Sequence, residues 1–197
     1  GVKFHNGKEV TAADAKATYE RALNAKGGGF RTTEIIKIFK KMEAPDKYTL
    51  KITTSVPYGP MEALLCNLSL AVMDAEVLTK HGLELGNHVE AENGTGPYKL
   101  VSWTKGDEVK LERFDDYFGG KAPTANIIVK AIPEAASRVI ALENGEVDVI
   151  GGISANDLTT LESNKNIKVL KRPTISQRLF RFGCNDPIIS KTQVRQA

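Results

Sequence analysis

Residues 94–114 read GTGPYKLVSWTKGDEVKLERF. Pro97 holds its own φ and has no N–H to give, so a strand can begin there but cannot run through it. Two apolar-polar alternating arms follow, Tyr98 to Trp103 and Val109 to Phe114. Lys105-Gly106-Asp107 between them is a turn sequence. Gly94 and Gly96 are expected to take backbone angles closed to other residues. The stretch therefore specifies a β-hairpin with a stiffened entry, and it commits the middle of the chain to antiparallel sheet.

The rest of the chain divides in texture around it. Val2-Lys3-Phe4 alternates as a strand does, Asn6-Gly7 is a turn, and Thr11 with Asp14 three residues on heads an amphipathic helix to about Asn24. Ala15, Tyr19, Ala22 and Leu23 share one side of that helix. Three glycines at 27–29 break it, and a short helix is expected from about Thr32 to Phe39. Met42 to Ala44 and Tyr48 to Thr53 form a second hairpin. MEALLCNL is a short helix, LSLAVM a buried strand or extended segment, and Asp74 caps a helix that Gly82 closes after His81. Residues 83–94 form a loop. Beyond the central hairpin, strands are expected at Ile127 to Ile132, Val147 to Ile150, Ile167 to Leu170 and Arg178 to Phe182. Helices are expected at Glu134 to Asn144 and Ser154 to Glu162. The second half alternates in the α/β manner, while the first is α+β.

Composition excludes several functions. Net charge is +3, and the basic residues form no stripe interleaved with aromatics, so no nucleic-acid partner is implied. KIFKK at 37–41 reads as a solvated face. No apolar run approaches the ~20 residues of a membrane span. The histidines, His5, His81 and His88, lack metal-ligand spacing with one another or with Cys66 and Cys184. Both cysteines lie among apolar neighbours and are expected as buried thiols rather than a bridge. Asp115 and Asp116 would point to opposite sides of a strand end. GGG at 27–29 and GTG at 94–96 are not phosphate loops, and no nucleophile elbow is present. No catalytic set, metal site or cofactor site is expected.

The string GTGPYKLVSW resembles the G-T-G-P-[YF] segment of the extracellular solute-binding protein family 5, the peptide, nickel and related solute receptors of ABC importers. VKFHNGKEVTAADAKATYERAL is similar to that family's early turn and helix. MEAPDKYTLKITTSVPYGPMEALL resembles its hairpin and following helix. ENGEVDVIGGIS resembles its G-x-x-D strand end, and DPIISKTQVRQA the entry to its C-terminal lobe. The resemblance implies an α/β fold with an α+β subdomain, a type II periplasmic-binding-protein-like lobe truncated at both ends. Residues 1–74 would form a small α+β subdomain of the N-terminal lobe and 75–176 a larger α/β subdomain. Residues 177–197 would form a hinge strand and the start of the C-terminal lobe.

The same resemblance implies a non-enzymatic function: capturing an oligopeptide or dipeptide and delivering it to the transmembrane subunits of an ABC permease. Such a receptor is periplasmic or held at the cell surface, with its signal sequence, and any lipoprotein anchor, outside these residues. Membrane association would come only through such an anchor or the permease. Three places match positions that line the cleft in relatives. They are Asn67-Leu68-Ser69, Gly151-Gly152-Ile153 at a strand carboxyl end, and Leu179 with Arg181 on one face of a strand. Asn67 and Ser69 can donate hydrogen bonds, the glycines offer backbone groups and space, and Arg181 can pair with an anionic solute group. Nickel-type relatives place an Arg near Asn67, where this chain has none. A nickel-chelate receptor of the same family and the ligand-sensing domain of a cytoplasmic transcription regulator are the alternatives.

Overall fold

In the computed structural model, residues 1–24, 37–82, 88–173 and 182–196 are described, Glu90 by its backbone alone. The order of elements is α1 (Ala12–Asn24), β1 (Phe39–Asp46), β2 (Thr49–Thr54), α2 (Met61–Leu65), α3 (Ala75–His81), β3 (Tyr98–Thr104), β4 (Glu108–Arg113), β5 (Asn126–Lys130), α4 (Ala135–Glu143), α5 (Ala155–Ser163) and α6 (Thr192–Gln196). Short 3₁₀ turns cover Leu68–Leu70 and Val89–Ala91. The described residues form two compact units, Gly1–Ile132 and Pro133–Ala197. No helix among them is long and apolar enough to cross a membrane.

In the first unit, β1 and β2 form the expected hairpin, with Met42 opposite Ile52. Pro45 falls at an irregularity between Glu43 and Asp46, where a missing N–H costs no ladder bond. Phe39 belongs to β1 rather than to a helix, and residues 32–36 of that expected helix lie outside the described residues. Tyr19 and Ala22 of α1 pack with Phe39, Leu64 and Leu70 as the buried core. The Tyr19 and Phe39 rings meet edge-on with centroids 6.2 Å apart. LSLAVM is not a strand: Asn67 accepts a hydrogen bond from the Ser69 N–H at 3.0 Å and turns the chain, so that Leu70 is buried and Leu68 stands exposed.

The central hairpin forms as expected, and β5 adds a third strand in the order β3-β4-β5. The register places Trp103 opposite Val109, and Val109 opposite Val129. The glycines before Pro97 have a different explanation from the expected one, since neither Gly94 nor Gly96 has positive φ. Gly94 lies against the His5 ring, while a Cβ on Gly96 would meet open space. A Cβ on Gly94 would stand 3.4 Å from Cε1 of His5. Gly94 N–H donates to Nδ1 of His5 at 3.3 Å, which leaves Nε2 to donate to the Gly96 carbonyl at 3.0 Å. The same ring packs edge-on against Phe114, and His5 N–H donates to the Gly94 carbonyl. The turn at 4–7 and the segment at 94–97 are thus one packed feature. Asp115 and Asp116 diverge as expected: Asp115 pairs with Arg113 and Lys121, and Asp116 with Lys3, each at 2.8 Å.

α1 buries polar residues alongside Tyr19 and Ala22. Asp14 and Asp74 are each 1% exposed. Asp14 accepts from Thr11 N–H and Oγ1 at 2.9 and 2.7 Å, the capping arrangement read from the spacing, and also from Ala75 N–H at 3.0 Å. Asp74 accepts from Lys8 Nζ at 2.7 Å, Glu76 N–H at 3.0 Å, Asn93 Nδ2 at 2.9 Å and Asn6 Nδ2 at 3.3 Å. Burial alone would raise both carboxyl pKa values, but these donors outweigh it and hold both below the usual carboxylate range. Burial would likewise lower the Lys8 pKa, but its hydrogen bonds to Asp74 and Glu76 and the nearby Asp14 raise it above the ordinary lysine value. At the surface, Lys47, the N-terminal ammonium and Tyr48 hold the Glu9 pKa at about 2.

In the second unit, α4 and α5 bury Val139, Ala141 and Leu161. Ser154 caps α5, accepting from Asp157 N–H at 3.2 Å. The expected strands at Val147 to Ile150 and Ile167 to Leu170 are not strands. No ladder partner lies beside either among the described residues, and the backbone bonds that form are local ones, from Val147 N–H to the Ala141 carbonyl and from Ile167 N–H to the Asn164 carbonyl. Val149 and Leu170 are accordingly 86% and 82% exposed. The strand expected at Arg178 to Phe182 falls mostly outside the described residues. Both cysteines are exposed rather than buried. Cys66 follows α2 two residues after buried Leu64, about 200° around the helix and therefore on its outer side.

Lys8→Met leaves two buried carboxylates without their cation and is expected to lower stability by about 3–5 kcal/mol, read from the denaturant midpoint. Because the native pKa values of Asp14 and Asp74 are depressed, their contribution is complete above the ordinary value of 3.8 and is lost as the pH falls through the native values. Melting temperature is therefore expected to fall at acid pH below about 4. The fall should be shallower in Asp74→Asn, as followed by circular dichroism.

Candidate functional site

Asn67-Leu68-Ser69 lies in the first unit, on the turn that leaves α2. α2 anchors this turn through Leu64, and Leu70 anchors its far side, so the three residues between are pushed outward. Asn67 spends its side-chain oxygen on Ser69 N–H. Its Nδ2 and the Ser69 hydroxyl make no hydrogen bond among the described residues. Leu68 between them is 90% exposed. An apolar side chain held out on an ordered turn, flanked by two unspent polar groups, is suited to a ligand that is part apolar and part hydrogen-bonding.

Gly151-Gly152-Ile153 lies in the second unit, before the Ser154 cap of α5. The structure alters what these residues offer. The carbonyls of the two glycines are not free: Arg138 of α4 donates from Nε to Gly151 O at 3.0 Å and from Nη2 to Gly152 O at 2.9 Å. Its Nη1 donates to Pro133 O at 2.7 Å. The N–H groups of Gly151, Gly152 and Ile153, by contrast, have no acceptor among the described residues. Gly152 has φ +68°, and a Cβ there would come within 3.2 Å of the Arg138 guanidinium. A cavity of about 550 Å³ runs beside the segment, bordered by Val149, Ile150, Ile153, Leu161, Ile167 and Leu170.

Leu179 and Arg181 lie outside the described residues. Arg138 escaped the sequence reading because an Arg inside a helix beside Ser137 and Val139 carries no pattern of its own. Its partners at Pro133, Gly151 and Gly152 are carbonyls, which any residue supplies. Among the described residues, no three His, Cys, Asp or Glu side chains converge as metal ligands. The rings of His81 and His88 do meet, with centroids 4.6 Å apart.

The chain is 30% identical to the glutathione-binding protein GsiB of Shigella flexneri over all of its own length and 38% of that protein's. It thus spans well under half of the curated relatives it matches. Among solved structures it resembles the binding protein AgaA of A. tumefacien R10 in complex with agropinic acid, with TM-score 0.77 and 33% identity, covering 83% of this chain and 33% of that one. It also resembles the ABC transporter-associated periplasmic binding protein DppA from Helicobacter pylori in complex with the peptide STSA, with TM-score 0.72 and 28% identity. That match covers 84% of this chain and 36% of DppA. These neighbours have the type II periplasmic-binding-protein fold, of which this chain covers a partial lobe. The family description "Bacterial extracellular solute-binding proteins, family 5 Middle" matches residues 1–197 throughout, and the chain belongs to that family.

Proposed function

We propose that the protein is the substrate-binding component of an ABC importer, that it captures a dipeptide or oligopeptide outside the cytoplasm, and that it hands it to a membrane permease. The observation that carries this reading is the run of main-chain N–H groups at Gly151, Gly152 and Ile153 without an acceptor among the described residues, on a segment whose two glycine carbonyls are already held. A peptide presents carbonyl oxygens at regular intervals and a carboxylate at its end, which are the acceptors such a run satisfies. In the first unit, taken by itself, Nδ2 of Asn67, the Ser69 hydroxyl and Leu68 offer polar and apolar groups suited to the same solute class. Relatives support the solute class: GsiB is named for glutathione, a tripeptide, and the DppA structure holds the peptide STSA. The reading assigns no bond-making or bond-breaking step to the chain. Arg181 would add a cation for a solute carboxylate.

Native mass spectrometry of the full-length protein, purified without added ligand, is expected to show a bound mass in the range of a two- to five-residue peptide. An increment the size of nickel or a nickel chelate would move the assignment to metal uptake. Calorimetry with reduced glutathione and with Ser-Thr-Ser-Ala supplies the direct binding measurement on the full-length protein. Residues 1–197 alone provide one side of the contact. They are expected to bind these probes no more tightly than about millimolar, roughly −4 kcal/mol.

A further inference from the structure

We infer that Arg138 is a positioning residue for the solute, one that aims the N–H groups of Gly152 and Ile153 at a solute oxygen. The inference rests on the receptor reading above and assigns the donors and the group that orients them. In a trans peptide unit the carbonyl of one residue and the N–H of the next point in opposite directions. The described chain contains no cis peptide. Arg138 draws the Gly151 and Gly152 carbonyls towards α4 with bonds of 3.0 and 2.9 Å. The N–H groups of Gly152 and Ile153, which share those two peptide units, must then point away from α4. Neither has an acceptor among the described residues, and both residues are exposed.

The third guanidinium bond, from Nη1 to Pro133 O at 2.7 Å, ties the clamp to the chain entering α4. One planar cation thus spans three carbonyls from two segments, which a lysine ammonium on a flexible stem cannot reproduce. Gly152 is matched to the clamp on both counts. Its φ of +68° is one that side chains rarely adopt, and a Cβ would press on the guanidinium at 3.2 Å. The partner for two adjacent outward N–H groups is a carboxylate or a peptide carbonyl. The guanidinium itself makes no contact with the solute in this arrangement. It acts through the backbone it holds.

The test uses the full-length protein and the two probes already named. Hydrogen exchange at Gly152 and Ile153 is compared with and without saturating probe, and affinity is measured for Arg138→Lys, Gly152→Ala and the double variant. Protection of these two amides by bound probe is expected, with at least a tenfold loss of affinity in Arg138→Lys. Because both variants disturb the same contact, the double variant should lose far less than the product of the single losses. Binding without protection at 152 and 153 overturns the assignment whether or not the variants fold, and leaves the receptor reading standing. An Arg138→Lys protein with wild-type affinity, or single losses that simply multiply, overturns the role of Arg138. Failure of the wild-type protein to bind either probe overturns the peptide-receptor reading, and this assignment with it.

Discussion

The Asp74 carboxylate is almost wholly buried and accepts four donors from three segments of the chain: Asn6 and Lys8, Glu76, and Asn93. A charge taken out of water is tolerated only when its lone pairs are filled, and the donors here must be delivered by three different pieces of backbone. That requirement brings the turn at 4–8, the start of α3 and the segment before Gly94 to one point. Asp14 extends the arrangement to the start of α1 by accepting from Ala75. Thr18 continues it, accepting from Met73 N–H and donating to the Asp14 carbonyl. The apolar core beside it, built from Tyr19, Ala22, Phe39, Leu64 and Leu70, packs elements whose relative placement these polar groups already restrict.

The same economy recurs where the turn at 4–7 meets the segment at 94–97. His5 uses both ring nitrogens and its own N–H on the Gly94 and Gly96 backbone, and the ring covers Phe114. In the second unit Arg138 does the corresponding work on the Gly151 and Gly152 carbonyls. In each case a polar side chain satisfies main-chain groups in a segment with no ladder of its own, and so orders a loop that would otherwise pair with water. In the second unit that ordering leaves the N–H side of the Gly152 and Ile153 peptide units facing away from α4. The turn at 67–69 behaves similarly on a smaller scale. Asn67 spends one atom on its own turn and keeps the other, while Leu70 anchors the turn and Leu68 is presented.

Local elements were legible from the sequence wherever the signal was local. α1 with its Thr11–Asp14 cap, the hairpin of β1 and β2, α2, the Asp74 cap of α3, the β3–β4 hairpin and the Ser154 region of α5 all depend on residues within a few positions of one another. Errors arose where the deciding partner is distant, as for the two strands, or where a local turn overrides the apolar pattern, as at Cys66 and LSLAVM. Val147 to Ile150 and Ile167 to Leu170 have strand-like composition, but a strand is defined by its neighbour, and none stands beside them among the described residues. Cys66 has apolar neighbours in sequence, yet its helix turns it outward from the side that Leu64 buries. LSLAVM reads as extended until the Asn67 side chain folds back on Ser69.

The sequence by itself determined the family, through the G-T-G-P-Y string and the segments in order around it. It also determined the local elements and the places where a solute contact was worth seeking. Motifs of this kind are contiguous, and contiguity is what a sequence displays. Only the tertiary structure decided what those places offer. It showed that the Gly94 backbone is bonded to the His5 ring, and that the Gly151 and Gly152 carbonyls are occupied while the adjoining N–H groups have no acceptor among the described residues. The physical reason is that backbone donors and acceptors are identical at every residue. Which of them is spent depends on a side chain such as Arg138, thirteen positions away, that only folding brings to it.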